Sequence, residues 1–148
     1  MFDIIKGVRA RTRPDFQLGL RISPERFGLK FADQLEVARW MLGSGDLDYL
    51  DMSLWDSFKP PVDEAHASRP LIDWFAELPR GATRLGAAGK LMTGADFTIL
   101  GRAAVLHHDV PKLYAANPDF QPIALPVTRE HLAREGLSPR FIEYMNNW

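Results

Sequence analysis

The chain has 148 residues, 46% of them hydrophobic and 25% charged, with 18 basic against 19 acidic side chains and no cysteine. That length suits one domain with a real core, and the ordinary composition argues against disorder or coiled coil. A formal charge of −1 offers no basic excess for nucleic acid and no cationic face for a membrane. The lack of cysteine removes disulfides, thiolate metal sites and cysteine nucleophiles, and fits a reducing, cytoplasmic setting.

No apolar run is long enough to span a bilayer. The first residues lack the basic stretch and apolar core of a signal peptide. Residues 2–12 instead read as an amphipathic helix already under way, with Ile4, Ile5 and Val8 on one side. Such a start is expected to follow an upstream element. Residues 16–22 alternate, placing Phe16, Leu18, Leu20 and Ile22 on one face and Gln17, Gly19 and Arg21 on the other, so a strand is predicted. Phe31, Leu35, Ala38 and Leu42 then form a helical stripe that Gly43-Ser44-Gly45 ends. Residues 47–55 predict a second strand, with Leu50, Met52 and Leu54 opposite Tyr49, Asp51, Ser53 and Trp55. After a long polar loop, Ser68 and Pro70 open a short helix carrying Leu71, Ile72, Phe75 and Leu78. Strands are predicted over 83–91 and 96–100, and helices over 103–106 and 111–116. The stretch 117–148 reads as an irregular tail with two short helices, one capped by Thr128 and one opened by Ser138-Pro139.

Strands alternating with helices predict an α/β fold with a parallel sheet. The polar faces of the first two strands suit a β/α barrel, in which one strand face meets helices and the other turns inward.

Arg21 stands at the carboxyl end of the first strand, where such barrels hold ligands. Its fork of donors suits an anionic or electron-rich group, and an ion pair at the barrel mouth is the plainer alternative. Gly89-Lys90 ends the third strand and Gly101-Arg102 the fourth. In each pair a glycine permits close backbone approach to a phosphate and a cation adds charge. Asp51, Ser53, Trp55 and Asp56 sit at the mouth end of the second strand, as a pocket lining or an internal hydrogen-bond network. His107-His108-Asp109 gives no metal site by spacing, because neighbouring helical residues point about 100° apart. His66 and His131 lie in other segments. No metal site is expected, and no catalytic residue is assigned.

Together these segments resemble a known family. Leu18-Gly19-Leu20-Arg21-Ile22-Ser23-Pro24-Glu25-Arg26-Phe27-Gly28 resembles the fifth-strand segment of the old yellow enzymes, the FMN-dependent NADH:flavin oxidoreductases. Tyr49-Leu50-Asp51-Met52-Ser53-Leu54-Trp55-Asp56 resembles the sixth strand, Ala88-Gly89-Lys90 the seventh, and Ile99-Leu100-Gly101-Arg102-Ala103-Ala104 the eighth. The tail from Leu125 to Met145 is similar to one branch of the same family. The resemblance implies the carboxyl-terminal half of a (β/α)8 TIM barrel with FMN at its mouth. It implies that Arg21 contacts the flavin ring, and that Gly89, Lys90, Gly101 and Arg102 contact the phosphate. It further implies NAD(P)H as reductant and an activated alkene as small-molecule acceptor.

Two departures from the family pattern carry expectations. The family's first four strands, with the substrate-binding histidine pair and the usual tyrosine proton donor, have no counterpart. The chain is therefore expected to self-associate or to meet an N-terminal half-barrel, and a non-catalytic half-barrel that binds at most a phosphate is the alternative function. The family's helix between the seventh and eighth strands is also missing, with only Met92-Thr93-Gly94 between Leu91 and Ala95. Three residues reach at most about 10–11 Å, less than the roughly 17–20 Å length of a strand. The strand over 96–100 is therefore expected to run antiparallel to its predecessor or to lose its strand character.

Overall fold

The computed structural model describes residues 1–89 and 95–145. It divides into two compact units, Met1–Ile99 and Leu100–Trp148.

In the first unit, helix α1 (Phe2–Arg9) precedes strand β1 (Gly19–Ile22), helix α2 (Phe31–Gly43) and strand β2 (Tyr49–Ser53). A 3-10 turn at Glu64–His66, helix α3 (Leu71–Ala76), strand β3 (Arg84–Ala88) and the two-residue strand β4 (Phe97–Thr98) complete it. The strands form one sheet in the order β1-β2-β3-β4, every pair parallel. Helices α2 and α3 supply the first two crossovers, as parallel neighbours require.

Register sets the two faces of the sheet. Leu20, Leu50 and Leu85 stand abreast, as do Ile22, Met52 and Ala87. These rows share an apolar cluster with Phe31, Ala38, Met41 and Leu42 of α2 and with Leu71, Ile72 and Phe75 of α3. Complete burial of a side chain such as Leu50 or Phe75 is worth about 1.5–3 kcal/mol. On the other face Gly19, Tyr49 and Arg84 stand abreast, as do Arg21, Asp51, Gly86 and Phe97. Asp51 is nonetheless 2% exposed, so the strict alternation read from the sequence gives way to a strand buried on both sides.

The fourth strand corrects an expectation. It pairs parallel with β3, with Phe97 beside Gly86 and Thr98 beside Ala87. The expected β3 extends to residue 91, which leaves three residues for a return of a whole strand length. The strand ends at Ala88, and β4 begins opposite a residue only two positions back. The return is then about 7 Å along the strand at 3.3 Å per residue, which residues 89–96 span easily. The 92–94 junction itself, with Lys90 and Leu91, lies outside the described residues.

Helix α1 also differs from its stripe. Ile5 is buried, but Ile4 is 70% exposed. Arg9 ties the helix down instead, donating to the Asp46 and Phe16 carbonyls at 2.6 and 2.7 Å and to the Asp48 carboxylate at 2.7 Å. Helix α3 starts at Leu71 with no side-chain cap, so Ser68 does not play the capping part expected of it.

The second unit contains α4 (Arg102–Leu106), α5 (Val110–Ala116), α6 (Arg129–Arg134) and α7 (Pro139–Met145). Leu106, Leu132, Ile142 and Met145 form its core. Thr128 caps α6 by accepting the His131 amide, and Ser138 accepts the Phe141 amide at the start of α7, both as expected. Gly136, at φ +86°, ends α6 with its own amide on the Ala133 carbonyl and the Leu137 amide on the Leu132 carbonyl. That pairing is a Schellman turn, which a glycine adopts without Cβ strain. Among the described residues no helix is long and apolar enough to cross a membrane.

Candidate functional site

The polar face of the sheet carries aromatic rings beside a charged pair. A Cβ on Gly19 would meet the Tyr49 ring at 2.0 Å, and one on Gly86 would meet the Phe97 ring at 2.3 Å. The two glycines therefore let the rings lie against the strands, where Tyr49 and Phe97 pack edge to face with centroids 5.5 Å apart. Arg21 and Asp51 stand in the same row as Gly86 and Phe97. Arg21 Nε pairs electrostatically with the Asp51 carboxylate at 3.1 Å, and an Nη donates to Ser53 Oγ at 3.0 Å.

This is an unequal ion pair. The Arg21 side chain is 56% exposed and that of Asp51 only 2%. Asp51 Oδ1 has no hydrogen-bond partner among the described residues. Burial pushes the Asp51 carboxyl above its ordinary range, and the Arg21 charge opposes that shift without cancelling it. The result is a guanidinium held in place from below. Its remaining N–H groups have no partner among the described residues, which suits an electron-rich or anionic group.

The loops at the same end of the sheet are strained. Arg26, Phe27 and Trp55 have φ of 76°, 53° and 63°, a left-handed backbone that non-glycine residues adopt at a cost. The Arg26 guanidinium lies 4.8 Å from the centroid of the Trp55 ring, and Glu25 accepts the Val62 amide at 2.8 Å, so the two loops are joined. Phe27, Trp55 and Phe58 are exposed around them. Gly89, just past β3, has φ +135°, and a Cβ there would meet the Trp55 backbone nitrogen at 2.7 Å. Its carbonyl accepts both the amide and the hydroxyl of the fully buried Ser57.

The expected site residues thus divide. Arg21 and Gly89 flank the carboxyl end of β2, one bonded to Ser53 and the other packed on Trp55. Asp51 and Ser53, whose role the sequence left open, are the groups that hold Arg21. Lys90 lies outside the described residues. Gly101 and Arg102 belong to the second unit, where Gly101 caps α4, both are exposed, and a Cβ on Gly101 would meet nothing within 4 Å. Arg26 and Ser57 were not singled out from the sequence, because loop strain and buried loop hydroxyls leave no periodic signal.

As donors to FMN these residues fit unequally. Arg21 offers a flavin ring charge and N–H groups that have no partner among the described residues; separately, in the second unit, Gly101 with Arg102 offers open backbone and a cation to a phosphate. The glycine at 89 is already required by the approach of Trp55.

The histidines also group in an unexpected way. His107 from the end of α4, and His131 and Glu135 from α6 and its C-cap, bring their ligand atoms within 4.8 Å of one another. Spacing along the chain relates only near neighbours and does not reveal a cluster closed by the fold. The signal available was His131 and Glu135 four apart, on one helix face.

No family model matches the chain, and no curated protein or solved structure is significantly similar to it.

Proposed function

We propose that this chain is the FMN-holding half of an oxidoreductase of the old yellow enzyme type, a partial (β/α)8 barrel working in the cytoplasm. The observation that carries the reading is Arg21, half exposed at the carboxyl end of an all-parallel sheet and fixed by Asp51 and Ser53. The aromatic rings packed on the same sheet face are in keeping with the filled interior of such barrels, and the carboxyl end of the strands with their mouth.

In this reading Arg21 meets the electron-rich edge of the flavin ring, where a fixed positive charge favours the reduced, anionic form. The resemblance gives the phosphate contacts to Gly89, Lys90, Gly101 and Arg102. When bound, FMN supplies hydride transfer from NAD(P)H to an activated alkene. The chain's own residues bind and orient the flavin, and none is assigned as a proton donor.

A second reading is a non-catalytic half-barrel that binds at most a phosphate or pairs with another half-barrel. It is favoured by Asp51, which already balances the Arg21 charge without any ligand. Titration of the purified chain with FMN, followed by flavin fluorescence, separates the two. The flavoprotein reading expects quenching that saturates at one FMN per chain and weakens at least tenfold in Arg102→Ala, since charged hydrogen bonds to a phosphate are worth about 1.5–3 kcal/mol each. An absence of saturable quenching would leave the half-barrel reading standing and refute the first.

A further inference from the structure

We propose that His107, His131 and Glu135 form a binding site for one divalent transition-metal ion of the zinc class. The inference is independent of the flavin reading, since all three residues lie in the second unit.

The placement follows from the helices. Thr128 starts α6 so that His131 falls in its last turn, and Glu135 follows one turn later on the same face. His107 ends α4 and enters from another segment, its ring 5.6 Å from that of His131, edge to face. All three side chains are half-buried, and their ligand atoms lie within 4.8 Å of one another.

The surrounding hydrogen bonds orient these groups as a metal site needs. His131 Nε2 lies 2.8 Å from the Leu106 carbonyl oxygen, which can only accept. The proton is therefore on Nε2, and Nδ1 keeps its lone pair for a metal. A ligating histidine usually donates its other nitrogen to a carbonyl or carboxylate in this way. Glu135 Oε2 is held by the amide and the Nδ1 of His108, at 2.9 and 2.8 Å. That leaves Oε1 for the ion. His107 Nε2 accepts the Ile123 amide at 3.1 Å. Binding requires His107 to give its lone pair to the ion in place of that amide. Ile123 is 43% exposed, so its N–H turns to water.

Two imidazoles and one carboxylate select zinc, cobalt or nickel over magnesium and calcium, which prefer oxygen ligands alone. Zinc–ligand distances of about 2.0–2.2 Å put tetrahedral ligand atoms roughly 3.4 Å apart. A spacing of up to 4.8 Å closes to this by side-chain rotation, and water takes the fourth position. Asp109 and His108 also approach Glu135, but His108 is 66% exposed and already holds the other carboxylate oxygen.

The test is titration of the whole chain with Co²⁺, read by its visible d–d absorption. One equivalent should bind with the bands of four- or five-coordinate cobalt and be displaced by Zn²⁺. His131→Ala and Glu135→Gln should each weaken binding at least tenfold, with the far-ultraviolet circular dichroism unchanged. On the wild type alone, Zn²⁺ should protect His107 and His131, but not His66, from diethyl pyrocarbonate. Absence of saturable cobalt binding, or protein whose His107 and His131 remain equally reactive with Zn²⁺, would overturn the assignment.

Discussion

Two glycines that look alike in the sequence do different work. Gly89 has a left-handed backbone and the Trp55 main chain where its Cβ would be, whereas Gly101 faces open space. Gly89→Ala should therefore lower stability by about 1–3 kcal/mol in urea unfolding, through strain and a backbone clash. Gly101→Ala should cost no more than about 1 kcal/mol. Equal losses at both positions would contradict the steric account. Asp51 makes a second prediction at this scale. Its carboxyl is pushed up by burial, so the folded state binds its proton more tightly than the unfolded chain does. Stability then falls as pH rises from the ordinary carboxylate value, about 4, through the raised folded value. Asp51→Asn removes that slope. Its stability relative to the wild type should rise from about pH 4 toward neutrality, because the lost contact to the half-exposed Arg21 is weak. A difference that stays flat or falls over that range would show that Arg21 outweighs burial.

At the scale of elements, side chains at the amino end of the sheet tie each strand to its neighbour. Asp48, just before β2, accepts the Leu18 amide at 2.6 Å, and Thr83, just before β3, donates to the Leu47 carbonyl at 2.9 Å. Asp96, just before β4, accepts the Leu85 amide at 2.7 Å and also pairs with Arg80. Asp96→Ala leaves the Leu85 amide without its acceptor and should cost about 1–3 kcal/mol, with faster hydrogen exchange at Leu85 and through β4. Unchanged exchange at Leu85 would mean that β4 holds without this tie. Much of this level is legible in the sequence. Period-two apolar residues marked β1 and β2, the Phe31–Leu42 stripe marked α2, and Thr128 and Ser138 marked the starts of the last helices. The end of β3 was not legible, because the strand stops at Ala88 where Gly89 turns to a φ of +135°, without a change in periodicity. The orientation of β4 was misjudged for that reason, since the length of its connection depends on where β3 stops. Arg21 could be found because it is the charged member of the polar face at a strand's carboxyl end. Its link to Asp51 needed the register between strands.

For the molecule as a whole, β1 and β4 are edge strands of the described sheet, with backbone donors and acceptors left unpaired on their outer sides. Exposed Phe27, Trp55, Phe58 and Val62 add apolar surface at the carboxyl end of that sheet. The chain should therefore self-associate, giving a mass by light scattering that rises with concentration. A sharp monomer at all concentrations would contradict this. The central claim, that Arg21 is set to stabilise a reduced flavin, is tested most directly by the midpoint potential of bound FMN in the wild type and in Arg21→Ala. Removal of the guanidinium should make the potential more negative while the affinity for oxidised FMN changes little. An unmoved potential, or a chain that takes up no FMN at all, would contradict the account.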